Sequence, residues 1–112
     1  MSIIRFNDLT KIRRKHENQK IVFCSGCFDL VHAGHVLFFE DCKKLGDILV
    51  AMVGSDAVIK RDKAKNRPIL NEHVRLKIVD SLKPVDYTFL DYIPPKTPHR
   101  LYIISQVIEN LQ

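Results

Sequence analysis

The sequence predicts an α/β protein, a Rossmann-like open parallel sheet with helices on both faces. Three observations carry that expectation. Short, nearly uncharged apolar runs rich in β-branched and aromatic residues recur at 20–26, 47–54 and 85–90, as strands buried on both faces require. Stretches with helical spacing of apolar residues separate them. Glycines punctuate the changes, Gly26 ending the first run and Gly46 stopping the helix before the second. Alternation of this kind implies right-handed crossovers around a mostly parallel sheet.

Taken in order, Asn7 or Asp8 is placed to cap a short helix reaching about Asn18, with Leu9 and Ile12 inward. "KIVFCSG" is the first strand. "GHVLFFEDCKKLG" then places His35, Phe38, Cys42 and Leu45 on one helical stripe, with Glu40, Asp41, Lys43 and Lys44 mainly outside. "DILVAMVGSD" is the second strand, followed by a short helix capped by Ser55 or Asp56. Pro68 breaks the pattern, and Asn71 caps a helix whose inward residues are expected to be Val74, Ile78, Val79 and Leu82. "VDYTFL" is the third strand, "PPKTP" a break, and "HRLYIISQVIENL" a last helix. The chain of 112 residues fits one domain, 1–112, with an amino-terminal helix in 1–19 and the α/β core in 20–112.

Composition narrows the classes. At 46% hydrophobic and 28% charged, with four glycines and five prolines, the chain reads as a globular protein rather than a disordered or fibrous one. Neither a signal-peptide core nor a run of membrane-helix length is present, so a cytoplasmic location is expected, without membrane association. The three cysteines, Cys24, Cys27 and Cys42, form no secreted disulfide framework, and reduced thiols are expected. A net charge of +5 favours anionic partners. Lys11, Arg13, Arg14, Lys15 and Lys20 lack interleaved aromatics, so they read as a solvated face and nucleic acid is not the expected partner.

The stretch "CSGCFDLVHAGH", Cys24 to His35, admits two chemistries. Cys24, Cys27, His32 and His35 have the ligand types of a zinc site, yet Cys24 falls inside an apolar strand while Cys27 lies beyond the glycine turn, so convergence on one metal would break the strand. Cys24 and Cys42 instead read as small buried hydrophobes. The phosphate reading accounts for more. A glycine turn that leaves a parallel strand and opens a helix presents backbone N–H groups and the positive end of the helix dipole. His32 and His35 flank that helix start, and Gly34 between them lets a ligand approach the backbone. Ligands of open parallel sheets sit beyond the carboxyl ends of the strands, where this loop, the segment Ser55 to Lys63 and the segment after Leu90 should meet.

"GCFDLVHAGH", a following helix and "LGDILVAMVGSD" together resemble the cytidylyltransferase-like branch of the HxGH nucleotidyltransferase superfamily. The likeness runs through "SDAVIKRDKAKNRPILNEHVRLKIVDSLKPVDY", about Lys20 to Tyr87, and is most similar to the sugar-phosphate members that make activated heptose. Lys63, Arg67 with Pro68, and Arg75 match basic positions of those enzymes, while Ala64 stands where they carry glycine. The resemblance implies transfer of a nucleoside monophosphate from ATP or CTP to a phosphorylated sugar or alcohol, heptose-phosphate or glycerol-phosphate in type, with release of pyrophosphate. A nucleotide-binding domain with little or no turnover is the alternative. It further implies that the family's carboxyl-terminal part is absent, and it allows a homodimer.

The same resemblance assigns roles. His32, His35, Lys63 and Arg75 are the catalytic candidates, the histidines on α- and β-phosphate oxygens and the two longer cations as clamps. Gly26, Cys27, Phe28, Asp29, Gly34, Asp56 and Arg67 are expected to bind nucleotide or phosphate, with N–H donors from the Gly26 to Phe28 backbone. Mg²⁺ is expected to accompany the nucleotide, and no zinc is ligated directly. Asp29 stands open between orienting the histidine loop or holding Mg²⁺, and capping the helix. Arg75 has a plainer alternative, an ion pair with Glu72 on the helix surface.

Overall fold

A computed structural model describes residues 2–62, 66–91 and 111, with the backbone alone for 61–62. Strand β1 (Ser2–Ile3) leads into a 3-10 turn (Phe6–Asp8) and helix α1 (Leu9–Lys15). Then come β2 (Ile21–Gly26), α2 (Ala33–Lys44), β3 (Ile48–Gly54), α3 (Asp56–Asp62), α4 (Glu72–Asp80) and β4 (Tyr87–Asp91). The four strands form one parallel sheet in the order β1-β4-β3-β2. The α/β fold expected from the sequence is the one observed.

Strand β3 shows why the sheet is a two-faced layer. Every one of its residues is buried. With side chains alternating across the pleat, Leu49, Ala51 and Val53 pack with Phe39 of α2 and Leu76 and Val79 of α4. Ile48, Val50 and Met52 pack on the other face with Leu9 of α1, Phe89 and Leu111. Strand β2 departs from expectation. Among the described residues it is the edge of the sheet, and only Cys24 in it is fully buried, because no described strand lies on its outer side.

The amino-terminal region also differs. Residues 2–3 pair with β4, Ser2 opposite Tyr87 and Ile3 opposite Thr88, so this stretch extends the sheet that the sequence had led us to expect at three strands. Leu9 and Ile12 are buried as expected. On α2 the inward stripe is His35, Phe39 and Cys42 rather than one through Phe38 and Leu45, both exposed: the spacing from His35 is four residues, not three. On α4, Asn71 caps the helix by accepting from the Val74 N–H at 3.0 Å. There Val74 faces outward and Arg75 inward, with Leu76 and Val79. The "PPKTP" break and the last expected helix lie outside the described residues, apart from Leu111.

Candidate functional site at the carboxyl edge of the sheet

The chain leaves β2 at Gly26 and reaches α2 seven residues later, at Ala33. His32 is the N-cap of α2, and its Nδ1 accepts from the Gly34 N–H at 3.0 Å. His35 answers from the third position of the helix, its Nδ1 accepting from the His32 N–H at 3.1 Å. The two histidines thus form a reciprocal capping box, a job that Ser or Asp and Glu usually do. Asp29 is therefore not the cap.

This arrangement decides the tautomers. A ring nitrogen that accepts from a backbone N–H carries no proton of its own. Both neutral imidazoles are accordingly protonated at Nε2, leaving two N–H donors for a ligand at the start of a helix. The rings lie 4.1 Å apart between centroids. Burial, and then the charge of His32, holds the pKa of His35 below its ordinary 6.5, so the neutral donor form is favoured. Gly34 has a sharper reason than ligand approach. A Cβ there would stand 2.8 Å from His32 Cε1, inside the ring that folds over it.

Phe28 forms the wall behind the pair. Its φ of 51° lies in the left-handed region, and its ring meets His35 edge-on at 5.7 Å and Phe39 at 5.0 Å. Gly26 makes room for that ring, since a Cβ would come within 2.7 Å of Phe28 Cζ. Among the described residues, no hydrogen bond engages the N–H groups of Phe28 and Ala33, which remain donors at this helix start.

Asp29 ties two loops together. Its carboxylate accepts from the Ile69 and Leu70 N–H groups and from Arg67 Nη1, each at 3.0 Å. Its pKa is lowered by the hydrogen bonds from Leu70, Ile69 and Arg67 together with the charge of Arg67, which outweigh the opposing cost of burial. With both oxygens so engaged, Cys27, Asp29, Ile59 and Arg67 line a cavity of about 150 Å³, in scale with a phosphate group. A larger cavity of about 560 Å³, lined by Ile3, Phe6, His73, Leu76 and Leu90 among others, contains no residue of the motif. We place the site at the smaller one because the donors are there.

Arg75 corrects the sequence expectation most strongly. It is fully buried, neither a phosphate clamp nor a partner of Glu72. Nε donates to Leu70 O at 2.9 Å, Nη1 to Cys27 O at 2.9 Å and to Gly54 O, and Nη2 to Asp56 Oδ1 at 2.7 Å. Glu72 instead accepts from the Asp56 N–H at 2.9 Å, and Ser55 Oγ accepts from the Val58 N–H. Asp56 thus serves Arg75 and not a nucleotide. Lys63 lies outside the described residues. Sequence reasoning missed Ile69 and Leu70, which act through backbone groups that no residue type announces, and Glu72, whose first-turn acid was legible but whose partner was not.

Cys24 sits in the core beside Phe28 and Phe39, and Cys42 packs against that cluster. Burial pushes the Cys24 thiol up to about 12, as for an inert core residue.

Fold and loop together define an open α/β protein whose histidine-capped helix begins at the carboxyl edge of the sheet. The pattern of the family described as cytidylyltransferase-like matches residues 23–103. The bifunctional protein HldE of Helicobacter pylori strain G27 is 49% identical over 73 residues, 65% of this chain and 16% of that protein. HldE of Aliarcobacter butzleri strain RM4018 is 38% identical over 98 residues, 86% of this chain and 20% of that protein. The chain thus spans a fifth or less of these curated relatives. The crystal structure of the lipopolysaccharide core biosynthesis protein from Thermoplasma volcanium GSS1 superimposes with a TM-score of 0.64 at 31% identity, covering 78% of this chain and 67% of that one. This chain belongs to the cytidylyltransferase-like family of nucleotidyltransferases. Among the described residues, no helix is long and apolar enough to cross a membrane.

Proposed function

We propose that this chain carries the phosphate-handling half of a nucleotidyl transfer from ATP or CTP to a phosphorylated sugar or alcohol, a heptose phosphate before a glycerol phosphate. The observation that carries it is the pair of Nε2–H donors fixed by the His32–His35 capping box beside the N–H groups of Phe28 and Ala33. An oxygen of the acceptor phosphate attacks the α-phosphorus, a new P–O bond forms, and the bond to the departing pyrophosphate breaks with its electron pair leaving on the pyrophosphate. The attacking oxygen is already anionic, so no strong base is required. The histidine donors and the helix dipole offset the charge that builds on the α- and β-phosphate oxygens. Arg67, held by Asp29 through one nitrogen and half-exposed, offers the rest of its fork to the small cavity. Lys63 is retained as a phosphate clamp by its matched position in the sequence. Mg²⁺ belongs here to the substrate, riding on the triphosphate.

The heptose preference is supported by the sequence resemblance and by the relatives named HldE and for lipopolysaccharide core biosynthesis. The test is pyrophosphate release from ATP and from CTP, with Mg²⁺ and a panel of phosphorylated sugars and alcohols, against His35→Ala. A loss of roughly a hundredfold or more in the variant, with the fold retained, is expected. If no substrate gives release above that control, the enzymatic reading of this chain fails. A nucleotide-induced rise in melting temperature without release would then assign it nucleotide binding alone.

A further inference from the structure

Arg75 is a cation at the edge of a phosphate site that has no surface to offer a phosphate. Its partners come from separate stretches of chain: Cys27 just after β2, Gly54 at the end of β3, Leu70 before α4, and Asp56 opening α3. Burying a guanidinium costs stability that apolar packing would not, and the one carboxylate facing it, Asp56, is 30% exposed. Its use here is geometric. A planar fork can hold carbonyls on different strands in fixed relation, and an ammonium cannot.

The carbonyl of Cys27 is the consequential partner. Phe28 is the next residue, and its left-handed backbone throws the ring against Gly26, Phe39 and His35. Fixing the Cys27 carbonyl fixes the peptide that launches Phe28, and the Phe28 ring is the wall against which His35 is set. We propose that Arg75, held by Asp56, is a positioning residue for His35 that acts through the Cys27 carbonyl and the Phe28 ring. This rests on His35 being a phosphate donor, and it names what keeps that donor aimed. A displacement of about 1 Å at a reacting centre suffices to cost roughly a hundredfold in rate.

Two variants of the full chain test it. Arg75→Lys keeps the charge and loses the fork; Asp56→Asn keeps the fork and loosens its grip. Each is read by unfolding, by NMR cross-peaks between the Phe28 and His35 rings and the His35 Nε2–H signal, and by the kcat and KM of pyrophosphate release. In both, the ring cross-peaks are expected to weaken and the Nε2–H signal to broaden. Arg75→Lys should lower kcat by roughly a hundredfold with little change in KM for nucleotide, and Asp56→Asn by less. Folded variants with unchanged cross-peaks and kcat would make Arg75 an anchor of the fold and nothing more, overturning the proposal. Where Arg75→Lys does not fold, Asp56→Asn decides alone. Absence of pyrophosphate release in the unaltered chain defeats the nucleotidyl-transfer reading, while the ring contacts still report on positioning.

Discussion

His32 and His35 are fixed by backbone groups within three residues of themselves, whereas Arg75 reaches a carbonyl 48 residues away in sequence. The histidines accept at Nδ1 and so leave Nε2–H facing outward. Arg75 turns its donors inward, onto three carbonyls and a carboxylate. All three are basic side chains at one edge of one sheet, yet one pair presents donors to a ligand and the third residue presents none. Charge and position together do not define a binding residue; what matters is which of its donors the protein has already engaged.

That contrast can be broken from the arginine side first. Arg75→Ala leaves Asp56 without its cation and three carbonyls without their donor, and a loss of about 3–5 kcal/mol in urea unfolding is expected. A loss no greater than for a surface substitution would mean that neighbouring groups or water readily take its place. On the histidine side, Gly34→Ala must displace the His32 ring and with it one half of the capping box. The expected cost is about 1–2 kcal/mol, with a shifted His32 Nε2–H signal in NMR; an unmoved signal would show that the ring's place is set elsewhere.

The smallest effect is one of pH. Because the pKa of His35 is held below 6.5 in the folded chain, the unfolded chain takes up the proton more readily. This contribution to stability is complete above 6.5 and is lost as pH falls from there through the folded value. Protonation at Nδ1 also ends acceptance from the His32 N–H. Melting temperatures across that range should therefore fall less steeply for His35→Ala than for the unaltered chain, and parallel slopes would contradict the capping role.

How much of this was legible in the sequence follows from the reach of each interaction. The histidine box spans four residues, so spacing alone exposed it, as it exposed the Asn71 cap and the buried run of β3. The stripe of α2 was misread by one position because Phe38 and Phe39 are chemically alike, and only packing distinguishes them. Strand β1 has two residues, too few to show a period, and exists by pairing with β4. The burial of Arg75 could not be seen, since its partners are backbone carbonyls brought together only by the completed sheet. Asp29 was visible as a residue of consequence, but its partners Ile69 and Leu70 lie about 40 positions on and contribute only N–H groups.

Phe28 carries a last consequence. A non-glycine residue in the left-handed region costs about 1–2 kcal/mol, and burial of a phenyl ring returns about 1.5–3 kcal/mol. Backbone and side chain thus make opposite demands at one residue: the turn favours glycine or asparagine, and the core and His35 favour an aromatic ring. This is local frustration, placed where the loop meets the histidines. No substitution there satisfies both demands, so the pair is held in register by a compromise rather than by a relaxed turn.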